Sequence, residues 1–101
     1  MYRFPKIDKK FTKYITEQKE PTQKRVWIDE YLIYRTRFKF DNGYGASVIQ
    51  GYGTYGHDED LFEIAVLKDD RIDYSTHITD DVEGWLTDAN VNEMLSEIAA
   101  L

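Results

Sequence analysis

The chain has 101 residues, no cysteine and a net charge of −6, with 42% hydrophobic side chains. That length gives one domain with a modest core, and the missing cysteines exclude disulfides, thiolate metal sites and cysteine nucleophiles. No apolar run reaches the roughly 18 residues needed to span a bilayer, and none reads as a secretory signal. A soluble, intracellular protein is expected.

The charge is unevenly placed. Residues 1–40 hold eleven Lys and Arg against five Asp and Glu, a net +6, whereas residues 41–101 hold two against fourteen, a net −12. Such asymmetry marks either a surface for a charged partner or two halves that pair with each other on folding.

Residues 7–18 place Ile7, Phe11, Tyr14 and Ile15 on one face of a short helix, with Asp8 at its N-cap. A linker around Pro21 follows. From Leu32 to Phe40, Leu32, Tyr34, Thr36, Phe38 and Phe40 alternate with Ile33, Arg35, Arg37 and Lys39. That period of two, with one apolar and one basic face, predicts a half-buried antiparallel strand. Asn42-Gly43 ends it with a strong hairpin signal. A two-residue loop there would set Phe40 opposite Gly45, Phe38 opposite Ser47, Thr36 opposite Ile49 and Tyr34 opposite Gly51. Aromatics would then lie over glycines, which explains a segment, Asn42 to Gly56, that holds five of the six glycines.

A second hairpin is expected from Leu61 to Ile78, turning at Asp69-Asp70 and pairing Leu67 with Ile72, Ala65 with Tyr74 and Leu61 with Ile78. Its first strand is apolar on both sides, so both sides should be covered. Thr79-Asp80-Asp81 should open a short turn carrying Val82, Trp85 and Leu86. Thr87 then caps a helix with an apolar stripe of Val91, Met94, Leu95, Ile98 and Leu101. The expected fold is a single α+β domain over 1–101. An N-terminal helix and linker occupy 1–25, an antiparallel sheet of about four strands in two hairpins 26–78, and a helical segment packed on one face 79–101. Phe38, Phe40, Leu61, Leu67, Trp85, Leu95 and Ile98 are the expected core.

Chemistry is sparsely signalled. His57-Asp58-Glu59-Asp60 joins an imidazole to three carboxylates, but its spacing matches neither a calcium loop nor a zinc pair on a helix. Ser47, Ser75 and Ser96 lack a nucleophile elbow, and the glycines lie inside a hairpin instead of between a strand and a helix. No enzyme activity, metal or cofactor is expected, with a metal-dependent enzyme at His57–Asp60 as the weakest alternative. A stronger one is a small nucleic-acid-binding protein using Arg35, Arg37 and Lys39, with Tyr31, Tyr44, Tyr52 and Tyr55 as stacking surfaces. The acidic total disfavours it. The surface expected to meet a partner comprises Tyr44, Tyr52 and Tyr55 with a rim of Asp58, Glu59 and Asp60, because tyrosine gives large contact area at small entropic cost. A homodimer through Phe62, Ile64 and Val66 is the competing interface.

Three runs, Phe40-Asp41-Asn42-Gly43-Tyr44-Gly45-Ala46-Ser47-Val48-Ile49, Leu61–Leu67 and Ile78–Leu86, resemble small uncharacterised proteins encoded by bacteriophages and prophages. The likeness covers Phe38 to Leu101, and no functional residue can be carried over from it. It implies a small viral accessory protein acting in the cytoplasm of a bacterial host. The leading expectation is therefore a non-enzymatic protein that binds and inhibits a host protein, such as part of a defence system, or else binds a viral one.

Overall fold

The computed structural model describes residues 2–21, 33–78 and 82–101. Its centre is an antiparallel sheet of six strands: β1 (Ile15–Lys19), β2 (Ile33–Lys39), β3 (Tyr44–Gly51), β4 (Phe62–Lys68), β5 (Arg71–Ile72) and β6 (Glu83–Leu86). β1 to β5 lie side by side in chain order, and β6 pairs with the part of β4 that β5 leaves free. The helix α1 (Asp88–Ala99) covers one face. The α+β class and the C-terminal helix are as expected, but six strands replace four. Expectations that fall on Tyr31, Leu32, Thr79, Asp80 and Asp81 lie outside the described residues.

The N-terminal helix is shorter and tighter than the pattern predicted. Lys9–Tyr14 form a 3-10 helix, and Ile15–Lys19 leave it as a strand paired to β2. Ile15 and Thr16 are β-branched and favour extended backbone. Pairing with β2 also satisfies backbone groups that a further helical turn would have satisfied alone. The expected apolar face is kept, since Phe11 is buried and Ile7, Tyr14 and Ile15 pack against the core. Asp8 occupies the N-cap position without a side-chain capping bond. Its backbone N–H instead donates to Asn92 Oδ1 at 2.8 Å.

The first hairpin is shifted by one residue from the expected register. Phe38 pairs with Ala46, Thr36 with Val48, Tyr34 with Gln50, and Arg37 with Ser47. The loop is three residues, Asp41-Asn42-Gly43, closed by Phe40 N–H to the Tyr44 carbonyl at 2.8 Å. Only Gly43 has positive φ, +86°. This is the geometry of a turn followed by a left-handed glycine, which competes with the two-residue type I′ loop for the same Asn-Gly pair. A second role for Asn42 decides between them. Its Nδ2 donates to the Ile98 carbonyl (2.9 Å), with those of Ala99 (3.2 Å) and Leu101 (3.1 Å) also in reach, while its Oδ1 accepts from Tyr44 N–H. The side chain thus adds a donor to the cluster of carbonyls at the C-terminal end of α1. Aromatics therefore do not lie over glycines here. Ala46 and Val48 enter the core, and Gly45, Ser47 and Ile49 face the other way.

The second hairpin has the predicted turn and register but ends early. Asp69 and Asp70 both adopt positive φ, and Leu67 pairs with Ile72. After Ile72 the chain leaves the sheet, so the expected pairs of Ala65 with Tyr74 and Leu61 with Ile78 do not form, and Tyr74 is exposed. β6 takes that place, pairing Leu86 with Phe62 and Glu83 with Ile64. Two residues of β6, Gly84 and Trp85, thus stand opposite one of β4, Glu63, which makes a bulge. Trp85 has φ +60° and is 58% exposed. Its expected core position is wrong, because residues 83–86 follow a strand period with Leu86 inward, not a helical one. Leu61 is half-buried.

The core lies between the sheet and α1. Phe38, Phe40, Val48, Phe62, Ile64, Val66, Leu86, Val91, Leu95 and Ile98 form one cluster. Thr87 caps α1 reciprocally with Asn90, each side chain accepting the other's backbone N–H at 3.1 Å. Phe38→Ala should cost about 3–5 kcal/mol in chemical denaturation, as for other buried aromatics. A loss below about 1 kcal/mol would contradict its place at the centre of the cluster. Asn42→Ala should cost about 1–2 kcal/mol by removing the side-chain donor shared by the Ile98, Ala99 and Leu101 carbonyls, and amide exchange should rise in the last turn of α1.

Candidate binding surface

The loop from Tyr52 to Leu61 joins β3 to β4 and is pinned by its own hydrogen bonds. Thr54, itself buried, accepts from Gly51 N–H and donates to the Gly51 carbonyl. The Gly56 carbonyl accepts from Glu59 N–H (3.0 Å) and Leu61 N–H (3.1 Å) around a short 3-10 turn, His57–Glu59. A loop so closed presents its side chains in fixed positions.

Two glycines bring this loop against the β6 bulge. A Cβ on Gly84 would meet Tyr55 Cβ at 2.5 Å, and one on Gly56 would meet Leu61 Cβ at 2.7 Å and Trp85 Cε3 at 3.3 Å. Any larger residue at Gly84 would force the two segments apart. Their contact sets Tyr55 and Trp85 at one end of the sheet, 57% and 58% exposed, and Tyr52, in the same loop, is 52% exposed. The Tyr52 ring lies 5.7 Å from that of His57, and Tyr2 approaches the same imidazole from its edge, with Oη 3.0 Å from Nδ1.

Of the residues expected at a partner surface, Tyr52, Tyr55, Asp58 and Glu59 are exposed and lie in the one loop between β3 and β4. Tyr44 is not among them. It sits at the opposite end of the eight-residue β3, about 23 Å away by strand rise, where it packs against the core with Lys68 Nζ 5.1 Å from its ring centroid. Asp60 is engaged elsewhere. Arg3 Nε donates to Asp60 at 3.0 Å, and Arg3 Nη2 to Asp88, in the first turn of α1, at 2.7 Å. The guanidinium also lies over the Phe62 ring at 4.8 Å. Gln50 completes the clamp, accepting from Arg3 N–H and donating to Asp60. Trp85 was missed by sequence reasoning because Leu86 and the following helix suggested a helical period. The alternation of Trp85 and Leu86 just before the Thr87 cap was the signal available.

The basic residues of β2 do not form an open row. Arg35 is paired with Glu17 at 2.9 Å, Arg37 Nε is buried, and Lys39 is exposed. Among the described residues no group of three His, Asp or Glu side chains stands close enough to hold a metal ion. At His57–Asp60 the imidazole Nε2 lies 3.6 Å from Asp58, while Asp60 turns to Arg3. No helix among the described residues is long and apolar enough to cross a membrane. Compared with known proteins, the chain matches no family model, no curated protein and no solved structure.

The hydrogen bonds from Arg3 hold the Asp60 and Asp88 carboxyls below the usual carboxylate range, helped by Gln50 at Asp60 and by Lys6 N–H at Asp88, while Arg3 is held more firmly protonated. A carboxyl depressed in the folded state stabilises it above the unfolded value of about 4 and loses that contribution as pH falls through the folded value. Stability measured by urea denaturation should therefore be level from pH 7 to about 5 and fall below about 4. Arg3→Met should flatten that fall. An unchanged acid slope in the variant would show that the clamp does not govern it.

Proposed function

We propose that this protein is a non-enzymatic binding protein whose contact surface is Tyr52, Tyr55 and Trp85, rimmed by Asp58, Glu59 and Glu83. The observation that carries this reading is Tyr55 and Trp85, each more than half exposed, brought together where the 52–61 loop meets the β6 bulge, with Tyr52, also more than half exposed, in the same loop. Exposed apolar clusters with a polar rim mark interaction sites, and Trp and Tyr dominate the energetics of such sites. The φ of +60° at Trp85 supports it further, since a bulky residue there costs about 1–3 kcal/mol that packing alone does not require at an exposed position. Exposed carboxylates around the aromatics favour a basic partner and would speed encounter at low salt.

The fuller reading is that of a small bacteriophage accessory protein that covers a basic surface of a host protein in the bacterial cytoplasm and so inhibits it. The likeness over Phe38–Leu101 and the acidic rim support that reading. The test is capture from nuclease-treated bacterial lysate by the wild type and by a Tyr52→Ala/Tyr55→Ala/Trp85→Ala variant. A protein retained by the wild type should be lost from the variant, with affinity weakened about a hundredfold or more and the melting temperature nearly unchanged. Equal retention by the variant, or wild-type retention that disappears with nuclease, would overturn the proposal.

A further inference from the structure

The sheet face turned away from α1 carries a groove of about 550 Å³, within the range of roughly 300–1,000 Å³ typical of small-molecule sites. The register creates it. On this face Arg37 is followed across the sheet by Ser47 and then Ala65, two small side chains in one row. Ile49, Leu67 and Ile72 stand around that depression. Its floor and walls are thus mostly apolar, with a guanidinium at one side.

Arg37 is the polar group that the described residues leave unaccounted for. Its Nε is buried and has no hydrogen-bond acceptor among the described residues. The carboxylate directly across the strand pair is Glu17, but Glu17 is turned to Arg35, accepting from its Nε at 3.0 Å. Glu63 also lines the groove, and its Oε2 accepts from Tyr55 N–H at 3.0 Å. Lys19 and Glu20, adjacent in the chain, lie at the exposed rim. A buried guanidinium N–H without an acceptor is rare and costly in a native structure.

We propose that this groove binds a small aliphatic carboxylate, its head group accepting from Arg37 and its chain lying over Ile49, Leu67 and Ile72. A planar carboxylate matches the guanidinium fork and accepts two parallel hydrogen bonds. A single negative charge suits a site whose other cations are Arg35, already paired with Glu17, and Lys19, beside Glu20 at the exposed rim. Glu20 and Glu63 would oppose a phosphate dianion. The site is separate from the aromatic surface and stands or falls independently of it.

The test is titration of the full chain with decanoate, decanol and inorganic phosphate, below the micellar concentration of decanoate. Calorimetry would read affinity, and the side-chain Nε–Hε resonances of ¹⁵N-labelled protein would locate the ligand. Decanoate should bind with one-to-one stoichiometry and shift the Arg37 Nε–Hε signal. Decanol should bind at least about tenfold more weakly, and phosphate should not saturate. Arg37→Gln should weaken decanoate about tenfold or more. Ser47→Leu, which fills the depression and keeps Arg37, should abolish binding while the amide spectrum stays folded. Absence of saturable decanoate binding, equal affinity in Arg37→Gln, unchanged binding in Ser47→Leu, or phosphate binding as tight as decanoate would each overturn the proposal.

Discussion

A strand can present a side chain to only one face, so the pairing of Phe38 with Ala46 governs what the rest of this molecule can be. With that pairing, Thr36, Phe38, Val48, Ile64 and Val66 point toward α1 and form the core. The complementary set, Arg37, Ser47, Ala65 and Leu67, is left on the far face, where it shapes the groove. The register is held from outside the sheet. Asn42 sits in the turn and donates to the end of α1, so helix and hairpin fix one another.

The other end of α1 is secured by a different device. Arg3 bridges Asp88 in its first turn to Asp60 in the loop before β4, and Asn92 bonds the backbone at Lys6 and Asp8. Here the asymmetric charge of the chain is used internally, since a cation from the basic half neutralises two carboxylates of the acidic half. Arg35 with Glu17 shows that the basic half also pairs with itself. Asp58, Glu59 and Glu83 are exposed, the first two in the 52–61 loop and the third in β6, which that loop touches.

The parts legible from sequence were those in which a single period runs unbroken. The stripe of α1, its Thr87 cap and the alternation through β2 were all of this kind, and each depends on local geometry alone. Asp69-Asp70 was also readable, because two residues with positive φ between apolar runs leave few alternatives. Asn42-Gly43 misled because the choice between a two-residue and a three-residue loop was made by the distant carbonyls of α1. Ile15 and Trp85 were misplaced for a related reason: short segments took their conformation from pairing with β2 and β4. The exposed site was half visible, in Tyr52 and Tyr55 with their carboxylates. Trp85, and the commitment of Asp60 to Arg3, required the fold.

The Arg3 clamp also has a kinetic consequence. The bond from Arg3 to Asp88 joins residues 85 positions apart, and that to Asp60 joins residues 57 apart. Closing loops of that size is entropically costly, and contacts of such separation slow folding. During synthesis, residues 2–8 must therefore wait until α1 has left the ribosome before they find their partners. Until then the face of Phe62 that the guanidinium covers lacks that cover, so the last part of the core to be sealed is sealed by the first residues made.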